Sequence, residues 1–151
     1  MSSCVYKVVF NKSASELNDD YERLSDIEKE RIAELGADSY FDYEDGDNYV
    51  CFLITTPLEI EKYFEILSNN FIEHKSINLS KDILNKKYDI VDDISEKVNP
   101  LNSIKCSFFI EDINYWISEN LDIDLVLDRI SEVGMDNLSQ IEKDFLKNFK
   151  V

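Results

Sequence analysis

The sequence predicts an α+β fold: a ferredoxin-like β-α-β-β-α-β sheet unit followed by a helical C-terminal part that ends in an antiparallel helical hairpin. Three observations predict it. Strand-like and helix-like segments alternate in that order over residues 4 to 80. The first and third strand segments are continuous apolar runs while the second and fourth are polar, as central and edge strands should be. Capping residues stand where the helical periodicity begins.

The first element is "CVYKVVF", residues 4 to 10, β-branched and aromatic and too short for a helix. From Ser15, Leu17, Tyr21, Leu24, Ile27, Ile32 and Leu35 return at spacings of three to five, which predicts one kinked helix or two short ones with Gly36 as the stop. "SYFDYEDGDNYVCFLITT" then reads as two strands around Asp45-Gly46, where glycine supplies the positive φ of a tight turn. Thr56-Pro57 opens a helix with a capping hydroxyl and a proline at the first helical position. Leu58, Ile60, Tyr63, Phe64, Leu67 and Phe71 form its apolar face, and "IEHKSINLS" follows as the fourth strand.

Residues 81 to 103 read as a helical linker, with helices in "SKDILNKK" and "DIVDDISEKV" and a stop at Asn99-Pro100. Residues 104 to 151 form the C-terminal part, expected to pack on the sheet. Its opening "IKCSFFI" suits either a fifth strand or a helix, and Glu111 to Asn120 reads as helix. A helix capped by Asp122 carries Ile123, Val126, Leu127, Ile130 and Val133 on one face. It stops at a left-handed Gly134, with Met135 expected over Ile130 as in a Schellman motif. Ser139 caps the last helix, with Glu142 three residues on to complete a capping box, and Ile141, Phe145, Leu146 and Phe149 form its apolar face. The same pairing occurs at Ser25 and Glu28. The two stretches "LSDIEK" and "LSQIEK" therefore read as one capping solution used twice.

The 151 residues suit one domain, or a small domain with an appendage. With 44% apolar and 12% aromatic residues, the net charge of −16 belongs to the surface of a folded body. Residues 1 to 56 contribute 13 acidic against 5 basic side chains, so the excess leans towards the N-terminal third. Such a field repels phosphate backbones and anionic membranes and favours basic partners. Cys4, Cys51 and Cys106 have no CxxC spacing and read as reduced. No leader-like segment and no run of 18 apolar residues is seen, so the expected location is the cytoplasm.

Chemistry-bearing patterns are sparse. His74 is the sole histidine, and nucleophile-base catalysis has no local signature around it. Three isolated glycines build no phosphate loop, and paired Cys and His for zinc are lacking. "DYEDGDN" fails the calcium-loop register, because a loop beginning at Asp42 puts Gly46 fifth and Leu53 twelfth. Its carboxylates, Asp42, Glu44, Asp45 and Asp47, are instead candidates for docking a Lys/Arg-rich partner. Most aromatics, among them Phe41, Tyr43, Tyr49, Phe52, Phe64, Phe71, Phe108, Phe109 and Trp116, are expected in the core.

"LDRISEVGMDNLSQIEKDFLKNF" resembles a short helical tail found at the C-terminus of varied proteins of Bacteroidetes and their phages, including some rhomboid-like membrane proteins. The resemblance covers Val126 to Lys150 and implies a lineage and a helical hairpin; it carries no activity. The expectation is therefore a non-enzymatic acidic interaction module without cofactor or metal. It would bind a basic protein partner, as an inhibitor of the immunity, antitoxin or phage anti-defence type does. A dimeric small-molecule-sensing domain and a carboxylate-dependent enzyme are the alternatives.

Overall fold

In the computed structural model, which describes residues 2–35, 39–97 and 104–149, strand β1 (Cys4–Phe10) lies at the centre of a four-stranded antiparallel sheet. Its neighbours are β3 (Asn48–Thr55) on one side and β4 (Lys75–Asn78) on the other, with β2 (Ser39–Asp45) beyond β3. The order β2-β3-β1-β4 is the ferredoxin-like one. The apolar runs do occupy the centre. Val5, Val8 and Phe10 of β1 and Val50 to Ile54 of β3 are buried, whereas all four residues of β4 are exposed.

Two helices connect β1 to β2: α1 (Ala14–Glu22) and α2 (Asp26–Ala33). The break between them is built by caps, since Ser13 with Glu16 and Ser25 with Glu28 each form a reciprocal capping box. The Glu28 carboxylate has a second use. One oxygen closes its box and the other accepts a 2.7 Å hydrogen bond from the Asn70 side chain, and the Asn70 bond is the main reason its carboxyl lies below the usual range. The stop expected at Gly36 lies outside the described residues, as does that at Asn99-Pro100.

Helix α3 (Pro57–Asn69) starts as its sequence dictates, Thr56 accepting from the Glu59 N–H at 3.2 Å with proline at the first position. With Leu17, Leu24, Tyr6, Val8 and Phe10, its Ile60, Tyr63, Ile66 and Leu67 form the core between helices and sheet. Two predicted core residues are not there: Leu58 is exposed, and Phe71 is 92% exposed. The helix ends before Phe71 in a Schellman motif, in which the Ile72 N–H reaches the Leu67 carbonyl at 2.9 Å and the Phe71 N–H that of Ser68 at 3.2 Å. Phe71 occupies the left-handed position at φ 58°, so it leaves the helical face, and Ile72 is buried in its place.

The chain divides into two units, Met1–Ser80 and Lys81–Val151. The second begins within α4 (Ser80–Leu84) and continues through α5 (Ile90–Lys97). Residues 104 to 110, ambiguous in sequence, are helical: they open α6 (Ile104–Asn120), whose buried face carries Cys106, Phe109, Ile113, Trp116 and Ile117. Phe108, predicted core, is 59% exposed because it falls on the opposite side of this helix. The hairpin consists of α7 (Ile123–Val133) and α8 (Gln140–Asn148), with α8 against both α6 and α7.

The connection from α7 to α8 differs from the expected one. Gly134 has φ 83° but ψ 159°, an extended conformation open essentially to glycine alone, and not the left-handed helical one a Schellman motif requires. The chain then closes a turn of 3-10 helix (Met135–Asn137) before α8. Leu127, expected on the apolar face, is half exposed, while Val126 is buried.

A chain with three glycines must place other residues where the backbone turns left-handed. Lys86, at φ 59°, ends α4 as Phe71 ends α3, with the Lys87 N–H on the Asp82 carbonyl at 2.8 Å. Lys86→Gly removes a left-handed penalty of roughly 1–2 kcal/mol and adds a chain-entropy cost of about 0.5–1 kcal/mol. The expected net gain is about 0.5–1 kcal/mol, read as a higher urea midpoint in Trp116 fluorescence. A lower midpoint would contradict this account of the helix end.

Candidate functional site

The β2–β3 hairpin is where the predicted docking carboxylates lie. Asp45 pairs with Asn48, leaving Gly46 and Asp47 as a two-residue loop; Gly46 has φ 63° while Asp47 has no positive φ, the pattern of a type II′ turn. Asp45 and Asp47 are exposed at this tip.

The other two carboxylates are engaged in holding the hairpin. Glu44 accepts from the Ala14 N–H at 3.0 Å, satisfying a helix N-terminal donor and favouring a negative charge there. Asp42 is half buried and accepts from the Tyr40 hydroxyl at 3.2 Å. That hydroxyl also meets the Tyr49 hydroxyl at 3.0 Å and the Cys51 thiol at 3.6 Å. Deeper in, Tyr21 and Tyr63 share a hydroxyl–hydroxyl hydrogen bond. Strand alternation produces this layer, since Tyr40 and Asp42 and their cross-strand partners Leu53 and Cys51 share one face of the sheet, on which Leu53 and Cys51 are buried with residues of α1 and α3 while Tyr40 stands half exposed at the rim.

Burial governs the ionisation of the layer. The Cys51 thiol is pushed up to about 12 by burial, with nearby Asp42 adding to the rise and the Tyr40 hydrogen bond opposing it. Burial likewise raises Tyr21 to about 12 and raises Tyr40 and Tyr63. A thiol in that condition is protonated at neutral pH and is a weak nucleophile. The layer braces the hairpin with neutral hydrogen bonds.

A second feature lies at the same end of the sheet, where β1 finishes and β3 and β4 begin. It is an open groove of about 690 Å³ whose lining includes Asn11, Asn48, Ser68, Phe71, His74 and Lys75. His74 stacks on Phe64 at 5.1 Å between ring centres and lies 6.3 Å from Phe10. Its Nδ1 is 3.1 Å from the Ile72 carbonyl; a proton on Nδ1 donates there and leaves Nε2 as an acceptor. The exposed ring of Phe71 borders the groove. Sequence periodicity missed this feature because it carried the helix through Phe71; the paired asparagines of "SNNF" were the available sign of a helix end.

Among the described residues, no group of three or more His, Cys, Asp or Glu is placed to hold a metal ion. The fully buried acid among them, Glu142, faces Arg129 and not a second carboxylate. No described helix is long and apolar enough to cross a membrane. No family model, curated protein or solved structure matches the chain.

Proposed function

We propose that the protein is an acidic interaction module that presents the β2–β3 hairpin tip to a basic groove on another protein. In its sharper form it acts as an inhibitor of that partner. The supporting observation is that the tip is braced: Glu44 ties it to α1, and the Tyr40, Asp42, Tyr49 and Cys51 contacts fix the strands behind it. Asp45 and Asp47 are thus carried on a stiff support, and binding orders little chain. A net charge of −16 adds long-range attraction to a cationic partner.

The test is capture of partners from the native source by the wild type and by Asp45→Lys/Asp47→Lys. The wild type should retain a basic protein that the double variant loses at least tenfold. Equal recovery by both would remove the tip from the interface. The groove supports a second reading, a small-molecule-sensing regulatory domain, because it joins aromatic faces with hydrogen-bonding side chains beside the sheet.

A further inference from the structure

Helix α6 is apolar on two opposite faces. Its inner face, with Cys106, Phe109, Ile113, Trp116 and Ile117, is buried. On the other side Ile104, Phe108 and Tyr115 fall within about 40° of arc at 100° per residue, a straight row along the helix. They are 74%, 59% and 67% exposed. The adjacent pairs Phe108-Phe109 and Tyr115-Trp116 each send one ring inward and one outward. A surface helix ordinarily turns one apolar stripe to the core and a polar face to water, and large apolar residues aligned on the outside mark a contact surface.

We infer that this row docks an amphipathic helix of another protein, one that carries Lys or Arg in or beside its apolar face. Charge decides the occupant. Glu111 stands in the row itself, one turn from Phe108 and one turn from Tyr115, exposed and without an ion-pair partner among the described residues. Asp112 and Glu119 flank the row, against a single flanking base, Lys105. Covering a carboxylate inside an apolar contact is costly unless a cation meets it, so the covering surface must supply one.

Other occupants bring the wrong charge. A second copy of this face carries the same three carboxylates against one ammonium group, so two copies repel where they meet. An anionic membrane is repelled by the same side chains. A basic helix is attracted by them, and its shape also fits. From Ile104 to Tyr115 the row runs roughly 16 Å at 1.5 Å per residue, the length of about three turns of a partner helix.

Phe108 and Tyr115 are the residue types that anchor protein interfaces, with large contact area and few rotors to fix. The surface belongs to the second unit, the hairpin tip to the first. Each is a separate site.

The probes are labelled synthetic helical peptides of about 18 residues: a leucine face flanked by lysine, the same face flanked by glutamate, and a serine face flanked by lysine. Anisotropy at about 150 mM salt reads their binding to the wild type, to Phe108→Ser/Tyr115→Ser and to Glu111→Lys/Glu119→Lys. The wild type should bind the leucine/lysine peptide at least about tenfold more tightly than either other peptide. The serine variant should lose about tenfold or more on it, and the charge-reversed variant should prefer the leucine/glutamate peptide. Circular dichroism confirms folding, which these exposed positions should leave intact. No binding of the leucine/lysine peptide, equal binding of the serine/lysine one, or full affinity in the serine variant would each overturn the inference. So would a wild type of twice 17.7 kDa by light scattering that the serine variant reduces to 17.7 kDa, since a second copy would then cover the row. An equal loss of the peptide in Asp45→Lys/Asp47→Lys would move it to the hairpin tip and overturn the inference as well. The proposed partner binding at that tip is read by capture and stands or falls separately.

Discussion

Replacing Glu142 with alanine should destabilise the second unit by about 3 kcal/mol or more, the largest effect expected from a single polar side chain here. Glu142 is fully buried, its Oε1 accepting from the Ser139 N–H at 3.0 Å and its Oε2 3.4 Å from Arg129 Nε. Alanine removes both at once. It opens the capping box of α8, and it leaves the Arg129 guanidinium, whose side chain is 19% exposed, without its buried counter-charge and with only the exposed Glu132 carboxylate, 3.6 Å from the guanidinium, as an ion-pair partner. Removing one partner of a buried pair costs about 3–5 kcal/mol, and partial solvation of Arg129 places the expectation near the lower figure. Trp116, buried in α6 of the same unit and the sole tryptophan, reports the unfolding. With a urea slope of roughly 1–3 kcal/mol/M, the midpoint should fall by about 1 M or more. Glu142→Gln keeps a box acceptor and should lose less. An alanine variant with an unchanged midpoint would show that the pair contributes nothing to the hairpin.

Phe10→Ala should have a comparable effect in the first unit, about 3–5 kcal/mol. Phe10 is fully buried where β1 meets α3, and its ring lies 6.1 Å from Tyr49 and 6.3 Å from His74. A cavity there removes core contacts and also one wall of the aromatic cluster that fixes His74 beside the groove. Backbone amides of β1 and β3 that exchange only by global opening should exchange upwards of a hundredfold faster. Tyr49, at the base of the hairpin, should gain mobility as well. Unchanged protection across those strands would mean that Phe10 is not a keystone of this core.

Most of the fold was legible because the sequence states it through short-range physics. The apolar runs "VYKVVF" and "YVCFLI" became central strands, and Thr56-Pro57, Asp122 and Ser139 cap the helices they were expected to cap. What sequence could not supply was the direction of particular side chains. Phe71 matched the period of α3, yet the helix stops two residues earlier, and a non-glycine Schellman end leaves no strong signal. Gly134 was expected to turn left-handed because glycine permits it, but ψ is set by where the next helix must start.

The repeated "LSDIEK" and "LSQIEK" were legible as capping boxes but not as joints. In each, one glutamate oxygen closes the box and the other reaches a different element, Asn70 after α3 for Glu28 and Arg129 of α7 for Glu142. Nothing within six residues of either box names those partners. The hairpin tip was half legible: Asp45 and Asp47 are exposed as a docking surface requires, while Glu44 and Asp42 also hold the hairpin, through contacts reaching as far as Ala14, 30 residues from Glu44.

The proposed binding of a basic protein by this acidic surface should show itself in the salt dependence of capture. Partners captured by the wild type at about 50 mM salt should be enriched in basic proteins and should fall away steeply by a few hundred millimolar, as exposed charges become screened over a Debye length of less than about 10 Å. The same capture with Asp45→Lys/Asp47→Lys should recover little of that set at any salt. Recovery of no protein at low salt, or of a partner whose retention ignores both salt and the tip charges, would contradict it.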